Sequence, residues 1–416
     1  MKRAIVMLWC LSILGEAQES LDPAIRGVRV VGQGAHGLPV IVDGAGIRIE
    51  FDVAGPQRTD YRIRVRHCDT DGRITDNVFV NDPHRMSMLE PIPAQPAPTG
   101  VRAYQWTYAA TIPGPKGLEE IPFSGYYRGW VVEAESGRDV ATFEFVCADR
   151  RLSDVLRVQQ RRLPSMIAPY NEAIAVSVVV RMDGFGGADG SIQPLLIRSI
   201  DVVKNREFSR RTRVDPYDAD PNTWVEGAGT DVVTFVAGGI APGNEYRQLD
   251  VRNLDLYPAG DTLRSRSGPD VSRFFFPGRP DHDGLPAYVA TGRGADYAEV
   301  EFQFLWDGAG EGNEAHPIHI VGEFNGWAVR SEWRLVFEPN VQRYALVRPL
   351  RRGRYDYQYV FGDGDWVRVE GNDWQTRNVY TALVVYHDLR YGGFDRIIGV
   401  EQLESTGSVP SGAKSD

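Results

Sequence analysis

Tyr61-Arg-Ile63-Arg-Val65-Arg-His67 alternates side by side, with Tyr61, Ile63, Val65 and His67 pointing one way and Arg62, Arg64 and Arg66 the other. Period-two alternation is the mark of a strand with one face against a core and one against water or a partner. Almost every apolar segment of the chain repeats this pattern with Val, Ile, Tyr and Phe, bounded by clusters of Gly, Pro and Asp. The 26 prolines and 44 glycines supply turns, and the one helix candidate is the short stretch from Leu152 to Gln160. The fold class that follows is all-β.

At 416 residues the chain exceeds what one hydrophobic core covers, since single cores stop growing beyond roughly 250 residues. The pattern predicts three consecutive β-sandwiches, of immunoglobulin-like or early-set type. The first, 24–149, closes with a hairpin in which Tyr126 to Glu133 and Val140 to Val146 are joined across Glu135-Ser136-Gly137-Arg138. The second, 152–277, carries strands near Ala173 to Arg181, Leu195 to Lys204, Val232 to Ala237 and Tyr246 to Asp255. The third spans 295–400, and the polar tail 401–416 reads as disordered. A long insertion from Asp76 to Gly100, with Pro83, Pro91, Pro93, Pro96 and Pro98, either binds something or stays disordered.

The amino terminus has a Lys2-Arg3 start, an apolar run from Ala4 to Leu14, and Gly15 and Ala17 at the −3 and −1 positions of a cleavage site, so 1–17 reads as a secretory signal peptide. No lipid anchor is expected at Cys10, because Trp9 precedes it where a small residue is needed. Removal of 1–17 moves the formal charge from −10 to −11, which argues against nucleic acid as a partner. Of the 3 cysteines, Cys68 and Cys147 then remain. They form a possible disulfide in an oxidising compartment, provided the strand breaks after Arg66, because unbroken alternation puts Cys68 on the arginine face and Cys147 on the face of Phe143 and Phe145.

Motifs that could carry chemistry point away from an enzyme. Asp183 to Gly190 is glycine-rich but lacks the helix behind it that a phosphate loop requires, and reads as a hairpin loop. Asp69-Thr-Asp71-Gly72 falls short of a calcium loop by at least one ligand. His316 and His319 lie three apart on a strand and face opposite sides, so they do not chelate one metal. No nucleophile elbow, zinc helix or Cys/His arrangement is present. The expectation is no catalytic residue, no metal and no cofactor.

Two resemblances sharpen the reading. His319 to Trp327, Gly353 to Val360, and Gly362-Asp-Gly364-Asp-Trp366 resemble the early-set domains that bind glycogen and starch, where Trp327 and Trp366 match the aromatics that stack on sugars; Gln358 stands where those domains often have lysine. The bland reading is that Phe324, Asn325 and Trp327 build a sandwich corner, and Tyr355, Tyr357 and Tyr359 fill a strand face. Across the whole mature chain, four ordered stretches are similar to the Plug family of the bacterial type IX secretion translocon. These are Tyr61 to His67 with Cys68, Asp69 and Asp71; Ser124-Gly125-Tyr126; Gly243-Asn244-Glu245-Tyr246-Arg247; and Glu370 to Gly399 with Thr376, Asn378, Tyr380, Tyr386, Phe394-Asp395-Arg396 and Ile398-Gly399. The departures are Gly72, where the family usually has Trp, and the poorly matching 76–111 region. The resemblance implies a periplasmic protein associated with the outer membrane, whose partner is a large outer-membrane β-barrel that it occludes. A periplasmic or secreted glycan-binding protein using Trp327 and Trp366 is the alternative.

Overall fold

A computed structural model of the chain describes residues 18–405, except 35–36, 115–117, 153–155, 165–171, 182–191, 219, 229, 265–267, 274–287, 290, 307–316, 363 and 374–375. The architecture is all-β: six sheets pack face to face in three pairs, each pair around its own hydrophobic core. Segment 1–17, expected to be a signal peptide, the Asp183 to Gly190 segment and His316 lie outside the described residues.

In the first pair, one sheet runs Gln18–Ser20, Asp139–Cys147, Gly125–Glu133, Tyr61–Cys68, and the other runs Ile25–Gly32, Ile47–Val53, Trp106–Ile112, Ala94–Pro96. The alternation that predicted strand Tyr61–Cys68 is the reason for its placement: Tyr61, Ile63, Val65 and His67 are buried while Arg62 is exposed. Tyr61 meets Phe51 and Tyr108 in a cluster with ring centroids 5.0–5.5 Å apart. Each such ring contributes roughly 1.5–3 kcal/mol through its burial. Residue 129 must be glycine, because a Cβ there would lie 2.2 Å from the Phe143 ring.

The Asp76 to Gly100 insertion is ordered, contrary to one of its two expected fates. Met88 N donates to Ile63 O and Ile92 N to Tyr61 O, so the segment runs along the outer edge of Tyr61–Cys68 and buries Met86, Met88 and Ile92 in the first core. Its prolines spare the ladder because they fall between these bonds, and an otherwise open sheet edge is covered.

The expected boundaries of the second and third blocks are corrected by the strand pairing. The middle sandwich has one sheet of Leu156–Pro164, Glu172–Arg181, Val232–Ile240 and Thr223–Glu226. Its facing sheet is Thr212–Val214, Ile197–Lys204, Val379–Asp388 and Phe394–Glu404, so the last two long strands of the chain complete the middle unit. Tyr380, Ala382, Val384 and Ile398 sit in the same core as Val176, Val178 and Ile200. The third pair is thus an insertion, entered after Val232–Ile240 and left before Val379–Asp388. Strand Arg247–Asp250, expected in the second block, pairs with Gly353–Phe361 of the insertion. Chain order alone misled here, because long-range pairing leaves no mark in local periodicity.

Two smaller expectations also change. Where a helix was expected over Leu152 to Gln160, the part from Leu156 onward is strand: Leu156–Pro164 pairs with Glu172–Arg181, which supplies the backbone bonds a helix would have made internally. The tail is ordered as far as Ser405: Phe394–Glu404 pairs to its end, and Ser405 Oγ donates to Thr376 O. Residues from 406 onward lie outside the description.

Candidate functional site: the joints between the sheet pairs

The residues singled out by the sequence motifs are not gathered into a cleft. Several are buried where the sheet pairs meet and others brace a single pair from within; the joint between the first and middle pairs combines an apolar patch with ion pairs beside it.

Between the first and middle pairs, the outer face of the sheet containing Tyr61–Cys68 lies on the outer face of the sheet containing Ile197–Lys204, with Cys68, Tyr126 and Val146 against Val203, Leu383, Val385 and Ile397. Tyr126 donates its hydroxyl to Asp201 at 2.6 Å. Asp201, fully buried, also receives Arg211 Nε at 2.9 Å and Arg213 Nε at 2.8 Å. Burial pushes this carboxyl up, but the Arg213 and Arg211 guanidiniums outweigh it and hold the group below the usual carboxylate range. Asp71 pairs with Arg213 at 2.9 Å across the same joint, and Asp69 closes its own turn by accepting the amides of Asp71 and Arg73. The Asp69 to Gly72 turn thus has structural partners for both carboxylates, and among the described residues no three His, Cys, Asp or Glu side chains converge as a metal set.

His67 is buried at the same joint. Its Nδ1 lies 2.8 Å from Thr75 Oγ1 and its ring is edge-on to Tyr127 and Phe394. Burial pushes its pKa down to about 4. Gly125 makes this possible, since at φ 151° a Cβ there would meet His67 Nε2 at 2.1 Å. Asp395 accepts Arg198 Nη1 at 2.9 Å and faces His387 Nδ1 at 2.9 Å.

Cys68 and Cys147 are free thiols, which overturns the possible disulfide. The strand does not break after Arg66, so Cys68 faces the joint with the middle pair while Cys147 faces the first core. Burial pushes both thiols up to about 12.

The other motifs lie at the base of the insertion and within it, with Asn205 of the middle pair bonded to Asn378 where the insertion ends. Asn378 Nδ2 donates to Pro242 O, Asn205 Nδ2 to Asn378 Oδ1, and Thr376 Oγ1 to Gly243 O. Asn244 Nδ2 donates to Glu370 O at 3.0 Å, Glu245 Oε1 accepts the Arg377 amide, and Arg247 binds Glu370 at 2.9 Å and Asp270 at 3.1 Å. Burial opposes the Arg247 charge, but Glu370 and Asp270 prevail and raise its pKa. Tyr380 lies in the middle core, and Tyr61 in the first.

Trp327 and Trp366 face inward. Trp327 is 2% exposed and packs on Tyr246 with ring centroids 4.3 Å apart, and Trp366 is 8% exposed with Lys204 Nζ 4.2 Å from its ring centre. The segment after Ile197–Lys204 covers both, held by Arg206 to Glu323 at 2.6 Å and Ser209 Oγ to Trp327 O at 3.2 Å. A sugar ring needs an exposed aromatic face, and neither indole presents one. Asn325 builds the corner, its Oδ1 accepting Gly322 N and its Nδ2 donating to Ile320 O, while Phe324 stacks on Trp333. Gln358, where early-set glycan binders often carry lysine, is fully buried.

One joint was invisible in the sequence. Asp52 of the first pair, fully buried, accepts Arg351 Nη1 at 2.9 Å, Tyr297 Oη at 2.9 Å and Thr107 Oγ1 at 2.8 Å, and the first two donors belong to the insertion. Beside it, Asp296 accepts the amides of Arg102 and Ala103. The partners are 245 and 299 positions apart, and Asp52 sits in a strand whose alternation gives no hint of a charge-bearing joint.

No family model matches the chain, and no curated protein does. Among solved structures, the chain is similar to a hypothetical protein from Parabacteroides merdae, known from a crystal structure at 2.30 Å resolution, with a TM-score of 0.72 and 18% identity over 94% of this chain and 99% of that one. At that identity the likeness establishes a shared fold.

Proposed function

We propose that the protein is a periplasmic plug subunit that binds a large outer-membrane β-barrel translocon and closes its mouth between transport events. The observation that carries this reading is where the family-like residues lie. Tyr126 and Asn378 are buried at joints that tie the first pair and the insertion to the middle pair, His67 lies beside the first of these joints, and Asn244, Glu245, Arg247 and Asp395 brace the insertion and the middle sheet from within. Residues used that way serve a rigid, broad body rather than a pocket. A barrel wide enough to pass folded proteins leaks unless its mouth is filled, and wide barrels of other kinds are filled by plugs.

Rigidity matters for occlusion. If the three pairs swung freely, the free energy of contact with the barrel would be offset by the cost of ordering them at each closure. Preformed joints remove that cost, and the closed state needs to lie only a few kcal/mol below the open one for cargo to displace it. The test is deletion of the gene, followed by measurement of uptake of a large antibiotic normally excluded by the outer membrane, in cells with and without the barrel. The reading expects leakage that requires the barrel. Unchanged permeability, together with no barrel co-purifying with the tagged protein, would refute it.

A further inference from the structure

Among the described residues, an exposed apolar feature shared by two of the sheet pairs lies where the 76–82 loop of the first meets the turn between Val379–Asp388 and Phe394–Glu404 of the middle one. Val78, Phe79, Leu389 and Tyr391 are 74, 65, 62 and 52% exposed. Phe79 stacks on Tyr391 with centroids 5.8 Å apart, Phe123 supports Tyr391 from below at 5.8 Å, and Asn77 Nδ2 donates to Tyr391 O at 2.7 Å. Tyr391 has φ 53° and ψ 24°, the left-handed region that a bulky residue avoids, and is followed by Gly392 and Gly393 at φ 92° and 97°. The turn thus places an aromatic where glycine is favoured, and does so to hold the ring half in water.

We infer that this aromatic patch is the surface that seats on the periplasmic lip of the barrel, an inference that rests on the plug reading. Two features select the occupant. The ionic groups of the turn are spent inside it: Arg390 and Arg396 both bind Asp388, and His387 faces Asp395. With Asp76 exposed nearby and a formal chain charge of −10, the patch offers little attraction to anionic lipid and suits an uncharged apolar protein surface. Its size is the second. Four such side chains at these exposures present on the order of 400 Å². Two copies pairing through it would bury about twice that, short of the roughly 1,200 Å² that a stable interface needs. The same area is enough for the apolar centre of a wider, releasable contact whose rim the partner's mouth completes.

The experiment uses the full-length tagged protein in its own cells, with recovery of the barrel from detergent-solubilised outer membranes as the readout. Tyr391→Gly removes the ring while relieving the backbone, so its melting temperature should hold or rise. Phe79→Ser removes the second ring, and Val336→Ser, on an exposed edge strand of the insertion, is the control. Tenfold or greater loss of barrel with Tyr391→Gly and Phe79→Ser, but none with Val336→Ser, is expected. If wild type recovers the barrel and both patch variants do so equally well, the inference is wrong and the plug reading stands. Wild type that recovers no barrel removes both. Sedimentation with protein-free phosphatidylethanolamine/phosphatidylglycerol vesicles that is lost in Tyr391→Gly would make the membrane the occupant and also overturn the inference.

Discussion

Replacing Asp52 with Asn removes one negative charge from the joint between the first sheet pair and the insertion while keeping its shape. The buried carboxylate receives one guanidinium and two hydroxyls. Asn still accepts from Thr107 or Tyr297, but Arg351, itself 9% exposed, is left as a buried cation facing a neutral amide. Losing a charge-assisted bond costs about 1.5–3 kcal/mol, and breaking a buried pair about 3–5 in all. We expect about 3 kcal/mol for Asp52→Asn and a similar loss for Arg351→Met. The double variant should lose far less than the sum, about 3 kcal/mol in place of about 6, because neither charge then remains uncompensated. Urea unfolding followed by circular dichroism supplies the cycle, and hydrogen exchange locates the damage. The amides of Arg102 and Ala103, which donate to Asp296 at the same joint, should exchange faster in both single variants. A cost below about 1 kcal/mol, or simple additivity, would show that the joint is held by packing alone.

Other outcomes follow from the same geometry. His67 has a folded pKa of about 4 against 6.5 unfolded, so its contribution is complete above pH 6.5 and is lost as pH falls from there to 4. The total is about 3 kcal/mol. His67→Gln should flatten stability over that interval, and an imidazole signal titrating near 6.5 in the folded protein would contradict the assignment. Gly125→Ala should cost more than about 2 kcal/mol, since its Cβ would meet the His67 ring and the backbone there suits glycine; a thermal melt like that of wild type would refute the contact. Cys68 and Cys147 should resist alkylation in the folded chain and react only after unfolding, as mass mapping would show. A fragment of residues 295–400 should fail to fold, because Val379–Asp388 needs Ile197–Lys204 beside it and Gly353–Phe361 needs Arg247–Asp250; dispersed amide signals from that fragment would overturn the topology.

What the sequence determined by itself was local. Period-two alternation fixed strand Tyr61–Cys68 and its buried face, and the Tyr126 to Val146 hairpin, because side chains on a strand alternate whatever the strand pairs with. The all-β class followed from the same rule. The tertiary structure alone decided which strands belong together: Val379–Asp388 returns across an inserted sandwich to pair with Ile197–Lys204, and nothing in either segment's pattern names its partner. It likewise decided the fate of Trp327 and Trp366, whose spacing fits a stacking platform until the 205–211 segment is laid over them. Asp52 and Arg351 are ordinary charged residues in the chain and become a joint only when two sheet pairs meet. The physical reason is common to all three: burial and charge pairing depend on residues hundreds of positions away, whereas periodicity records only which side of its own strand a residue faces.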